Sequence, residues 1–150
     1  MIHTESGTAG KPIPKPGKTN GKIRKGLIKK LDALFSKFIV SRDGKDGYAI
    51  CVTCQRARPI WPNSVIDCGH FQSRRYFATR WMEENCAAQC RYCNRMNQGE
   101  QARFAAALDV RYGAGTAKKL EVLARMKPNR PPDIFTLRIM IEEYTKKGTP

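Results

Sequence analysis

The chain has 150 residues, with 28 lysines and arginines against 13 acidic residues, giving a formal net charge of +15. That length fits one domain with appendages, and a balance this basic points to a polyanionic partner, most often nucleic acid. No apolar run approaches the roughly 20 residues needed to span a bilayer and no signal-peptide pattern opens the sequence, so no membrane partner is expected and the cytosol is the expected compartment.

Residues 1–22 read as a disordered basic tail, because Pro12, Pro14, Pro16 and several glycines stand among lysines with almost nothing to bury. Residues 23–47 read as an amphipathic basic helix and a turn. Leu27, Ile28, Leu31, Leu34, Phe35, Phe38 and Ile39 fall at helical spacing, and Lys25, Lys29, Lys30 and Lys37 occupy the other face. Asp43-Gly44 and Asp46-Gly47 then break the helix. Residues 48–51 and 65–71 are short strand candidates, and 72–84 form an irregular loop bearing arginines and aromatics. A helix is predicted from about Asn94 to Val110, with Phe104, Ala105 and Leu108 facing inward. Residues 113–150 form a C-terminal helical extension, with helices over about 116–127 and 136–147. Thr136 is the candidate cap of the last one.

Six cysteines could mean three disulfides, but that needs an oxidising compartment. Four of them form Cys51-x-x-Cys54 and Cys90-x-x-Cys93, the spacing of a structural zinc site. Cys68 and Cys86 are unpaired by spacing and read as small buried apolar residues. Between and just after the pairs lie a single histidine, His70, the carboxylate Asp67, which is the only acidic residue between Asp46 and Glu83, and the asparagines Asn85 and Asn94. A histidine can deprotonate water as general base. A hard cation held by carboxylate and amide oxygens can neutralise phosphoryl charge. The set therefore suits metal-assisted phosphodiester hydrolysis. Arg74, Arg75, Arg80, Arg91 and Arg95, with Lys29 and Lys30 on the first helix, are the candidate phosphate contacts.

The offsets resemble those of the HNH (ββα-metal, or His-Me finger) endonucleases: His70, then Asn85 five residues before Cys90, then Asn94 directly after Cys93. The Cys-x-x-Cys-Asn ending resembles the junction-resolving endonuclease of T-even phages. From about Phe38 to Tyr144 the chain also resembles the phage lambda NinG (Rap) recombination-protein family. The motifs that carry this are Cys51-x-x-Cys54, Asp67-x-Gly69-His70-Phe71, Arg80-Trp81-x-x-x-Asn85 and Gln89-Cys90-x-x-Cys93-Asn94, with the final helix Phe135-Thr136-Leu137 through Glu143-Tyr144.

The resemblance implies an α+β fold: a zinc-stabilised ββα-metal core over 48–112 with flanking helices. It implies a nuclease cutting branched DNA such as Holliday junctions and D-loops, in the host bacterial cytosol if the chain is phage-encoded. His70 would be the base, Asn85 would pin the loop and orient it, and Asn94 would bind catalytic Mg²⁺ or Mn²⁺. Many HNH enzymes place the metal-binding aspartate immediately before the histidine. Here that position is Gly69, and Asp67 lies two residues earlier, about 6–7 Å along a strand and on the same face. Asp67 is then expected to reach the metal through a water or a bulge in the hairpin. A non-catalytic zinc-stabilised DNA-binding accessory protein and an HNH nicking enzyme of restriction or packaging type are the alternatives. Symmetric junction cutting needs two sites, so a homodimer is a further expectation.

Overall fold

A computed structural model describes residues 18–61 and 63–148. The expected disorder of residues 1–17, and His3 with it, lies outside them. Helix α1 runs Lys18–Arg42, so residues 18–22, assigned from sequence to the tail, are helical instead. The last proline of the tail is Pro16, and nothing after it forbids helix until Gly44.

The α1 stripe is buried as its spacing predicts. Leu31, Phe35 and Ile39 are fully buried, and Leu27, Ile28, Leu34 and Phe38 pack around them. Their partner is α4 (Ile134–Lys147), which contributes Leu137, Ile141 and Tyr144. The Phe35 and Tyr144 rings meet edge to face at 5.0 Å, a preferred aromatic geometry. Asp133, not Thr136, caps α4: its carboxylate accepts the Thr136 amide at 2.9 Å and the Thr136 hydroxyl at 2.9 Å.

Strands β1 (Gly44–Lys45) and β2 (Tyr48–Ile50) form a hairpin turned by Asp46-Gly47. Both turn residues have positive φ, 52° and 80°, the primed turn that Asp-Gly favours. Strand β3 (Ala57–Pro59) pairs with β2 and had no signal in the sequence. A second antiparallel sheet joins β4 (Ile66–His70) to β5 (Cys86–Cys90). Helices α2 (Gln101–Tyr112) and α3 (Thr116–Arg125) follow, with Phe104, Leu108 and Leu120 buried against Phe71 and Ala87. The fold is mixed α+β with two small antiparallel sheets. Among the described residues no helix is long and apolar enough to cross a membrane.

Two features depart from the sequence reading. The helix expected from Asn94 does not start there. Tyr92–Met96 is a π-helical turn, closed by the Asn97 amide on the Tyr92 carbonyl at 3.0 Å. Gln98, Gly99 and Glu100 then all take positive φ, which no helix tolerates, and α2 begins only at Gln101. The β4–β5 register is also unbroken from Ile66↔Cys90 to His70↔Cys86, so the hairpin has no bulge.

Gly69 explains its own identity. A Cβ there would lie 2.5 Å from Gln89 Oε1, 2.8 Å from Gln89 Cβ and 3.1 Å from the Phe104 ring. Glycine therefore admits a neighbouring side chain, not a phosphate. Gln89 cannot retreat cheaply, since its amide nitrogen is held by the Gly99 carbonyl at 2.8 Å and it is buried. Gly69→Ala is expected to lower stability by about 1–3 kcal/mol through overpacking, read as a fall in unfolding midpoint. An unchanged midpoint would contradict the packing described.

Candidate functional site

Cys51 and Cys54 leave the end of β2, and Cys90 and Cys93 leave the end of β5. Their four sulfurs all lie within 4.8 Å of one another, with Cys54 and Cys90 Sγ 3.9 Å apart. The first knuckle closes through the Gln55 amide on the Cys51 carbonyl at 2.9 Å, with Gln55 at a φ of 58°. Burial opposes ionisation of Cys51. The Cys54 and Cys90 amides and the Thr53 hydroxyl and amide outweigh that and bring its thiol down to about 6. Burial pushes Cys54 and Cys93 up. Four convergent thiols, one already favouring thiolate, can hold one tetrahedral ion such as zinc.

His70 closes β4. Its Nε2 lies 3.1 Å from the Arg80 carbonyl and its Nδ1 3.4 Å from the Cys68 carbonyl. Carbonyls only accept, and a neutral imidazole carries one ring proton. In the tautomer that places the ring proton on the shorter contact, Nε2–H donates to Arg80 and Nδ1 keeps its lone pair.

The Arg80 carbonyl is placed by two devices. Asn85, fully buried at the foot of β5, accepts the Gln72 amide at 2.7 Å and donates to the Gln72 and Thr79 carbonyls at 2.9 and 3.0 Å. It thus ties both ends of the loop that leads to Arg80, and touches no reacting atom. Asp32 on α1 grips Arg80 by two contacts, 3.0 and 2.6 Å, and takes the Trp81 indole N–H at 2.9 Å. Arg80 also donates to the Arg74 carbonyl at 2.6 Å. Its guanidinium is thus engaged with Asp32 and the Arg74 carbonyl. Asn85→Ala would leave buried loop groups unpaired, at about 1–3 kcal/mol for each. Amide exchange at Gln72 should rise sharply in that variant, and protection equal to wild type would contradict the pinning role.

Asp67 and Asn94 lie side by side, with Asn94 Nδ2 3.2 Å from Asp67 Oδ2. The Asp67 carboxylate also receives Arg95 at 2.9 and 3.2 Å and Arg91 at 3.6 Å. Asp67, His70, Asn94 and Arg95 line one open cleft of about 770 Å³ together with Lys37 and Arg74. Arg74 and Arg75 are exposed; Arg75 lies over the Tyr76 ring and donates to its hydroxyl. Lys29 and Lys30, also exposed, stand one heptad before Ser36 and Lys37, so they extend the cleft's α1 wall along the same helix face. Trp81 is buried in the core with Phe77 packed on it, and neither ring is offered to a base.

Sequence reasoning missed Asp32, Ser36, Ser73 and Gln98 as shapers or walls of the site. Asp32 is the lone acid on a basic helix between Lys30 and Lys37, a signal that was available. The others carry none.

Fold and site together define a small α+β protein with a four-cysteine cluster that could hold a metal ion and a polar, cation-rimmed cleft beside it. The model of the family described as Bacteriophage Lambda NinG protein matches residues 9–148, so the chain belongs to the NinG family. Among curated proteins and solved structures nothing matches the chain.

Proposed function

We propose that this chain is a metal-dependent endonuclease of the HNH type that cleaves branched DNA during phage recombination. The observation that carries the reading is the His70 imidazole, with Nε2 on the Arg80 carbonyl, in the same cleft as Asp67 and Asn94, whose carboxylate and side-chain amide are hydrogen-bonded to each other. In this reading β4, β5 and the turn that holds Asn94 are the ββα-metal unit, and the four cysteines hold structural zinc.

His70 Nδ1 accepts a proton from the attacking water as the phosphodiester bond is broken. Asp67 and Asn94 would hold one Mg²⁺ or Mn²⁺ through a carboxylate and an amide oxygen, and such an ion would offset the phosphoryl charge. The donor set fits a hard cation. Asp67 is engaged by Arg91 and Arg95, but both guanidinium side chains are more than half exposed, at 52 and 63%. A divalent ion bound at Asp67 would replace these guanidinium contacts. Arg74, Arg75, Lys37, Lys29 and Lys30 carry the DNA backbone toward the cleft. None is arranged to read a base edge, which favours recognition of DNA shape. Family membership supports a role in phage recombination; branched substrates and the host cytosol are part of the proposal. A dimer would present two such clefts to one junction.

Matched linear and four-way-junction DNA, each with Mg²⁺, Mn²⁺ or chelator, tests the reading. The expected result is cleavage of the junction in either metal and none in chelator. Equal cutting of linear duplex would indicate a general nicking enzyme. Binding of intact junctions under every condition would indicate an accessory protein without nuclease activity.

A further inference from the structure

Cys68 and Cys86 belong neither to the four-cysteine cluster nor to the proposed hydrolysis. Both are buried, at 6 and 0% exposure, and neither is in a disulfide. As small buried residues they would need no particular neighbour. The strand register gives them one: His70 sits directly opposite Cys86, and Cys68 lies two residues before His70 on the same strand. Alternation along the strand therefore puts all three on one face of the hairpin. Their ligand atoms lie within 4.8 Å of one another, with Cys68 Sγ 4.0 Å from His70 Nδ1.

That spacing is close to what one tetrahedral ion requires. Zinc bonds of about 2.3 Å to sulfur and 2.0–2.1 Å to nitrogen separate ligand atoms by roughly 3.5–3.8 Å. The Cys54–Cys90 pair in the first cluster stands at 3.9 Å, so the second trio is nearly as well drawn together. Two thiols and an imidazole select a soft or borderline ion over Mg²⁺. Three protein ligands leave a fourth position, and Cys68 and His70 both border the open cleft. The nitrogen facing the Cys68 sulfur is Nδ1, while Nε2 faces the Arg80 carbonyl.

We propose that Cys68, His70 and Cys86 form a second metal site, for zinc or a similarly soft divalent ion, and that filling it shuts off cleavage. The metal site stands on the trio alone, while the inhibition rests on the nuclease reading above. Binding displaces the two thiol protons to solvent and occupies the Nδ1 lone pair. The imidazole then has no lone pair left to accept a proton from water, so zinc holds the chain inactive until it is withdrawn.

Zinc content of the reduced full chain after equilibration with excess Zn²⁺ tests the site. The wild type is expected to retain two equivalents, and Cys68→Ala, Cys86→Ala and His70→Ala one each. The equivalent that persists reports that each variant keeps its four-cysteine cluster. Co²⁺ added to the one-zinc wild type should give thiolate charge-transfer absorption that both cysteine variants lose. One zinc in the wild type with no such absorption overturns the site, whether or not the chain cuts DNA. Two zincs in a chain that cuts no DNA with Mg²⁺ or Mn²⁺ uphold the site and overturn the inhibition together with the nuclease reading. In a chain that cuts, a slight excess of zinc over saturating Mg²⁺ should suppress junction cleavage, and Cys68→Ala should relieve that suppression. Suppression equal in Cys68→Ala would overturn the inhibitory role.

Discussion

Cys90→Ala is expected to remove the structural metal and, with it, the folded state of both sheets. Cys90 is 3% exposed and stands at the junction of everything that positions the cleft. Its sulfur faces Cys54, its amide donates to Cys51 Sγ at 3.3 Å, and it pairs with Ile66 at the start of β4. The cluster around it contains only Ala49, Cys51, Ile66, Ala88 and Cys93 as further buried members. So small an apolar core cannot hold the first sheet and the knuckles alone. Structural zinc contributes on the order of 10 kcal/mol, comparable to the whole stability of an ordinary domain. A three-sulfur remnant forfeits most of that. The expected readout is loss of the tightly bound zinc equivalent and of a cooperative unfolding transition. Strong chelation of the wild type should do the same. A Cys90→Ala protein with wild-type zinc content and midpoint would contradict a four-cysteine site.

Much of this fold could be read from the chain because its cues are local and periodic. The α1 stripe repeats every three or four residues, so Leu31, Phe35 and Ile39 announce their burial. Asp43-Gly44 and Asp46-Gly47 announce the end of α1, and the hairpin that Asp46-Gly47 also turns was not read from them. The cysteine spacing draws four sulfurs together because two short knuckles leave little else for them to do. Boundaries set by distant contacts were not readable. Strand β3 exists because β2 offers an edge to Ala57–Pro59, whose own composition signals a turn. The break before α2 follows from Gly99 presenting its carbonyl to buried Gln89, while flanking Gln98 and Glu100 give no hint of left-handed backbone. Residues 18–22 were given to the tail because glycine and lysine look solvated in either state.

The site divides in the same way. Short offsets locate His70, Asp67, Asn85 and Asn94, and the structure brings Asp67, His70 and Asn94 to one cleft. The partner of Arg80 was not legible, because sequence shows a cation and not what it pairs with. Asp32 lies 48 residues away, and only the packing of α1 on the loop joins them. Gly69 likewise could not be read as a packing requirement without the Gln89 side chain beneath it. The trio of Cys68, His70 and Cys86 needed the strand register, which no spacing rule supplies.

His70→Ala carries the second large effect. A positioned general base contributes about 10²–10⁴-fold to rate, and His70 is the one imidazole among the cleft's lining residues. Asp67 is held by Arg91, Arg95 and Asn94. Lys37, Arg74 and Arg95 are cations, which attract phosphate and do not take protons at neutral pH. The substitution leaves the four-cysteine cluster and the Asp67–Asn94 pair in place, so DNA binding and the structural zinc should persist. The decisive measurement is the single-turnover rate of four-way-junction cleavage in Mg²⁺ by wild type and His70→Ala, with junction affinity and zinc content determined on the same samples. The account predicts wild-type cleavage that chelator abolishes, and a rate lower by about 10²–10⁴-fold in the variant at near-equal affinity. Cleavage by His70→Ala at the wild-type rate, or no cleavage by a folded, junction-bound wild type in either Mg²⁺ or Mn²⁺, would contradict it.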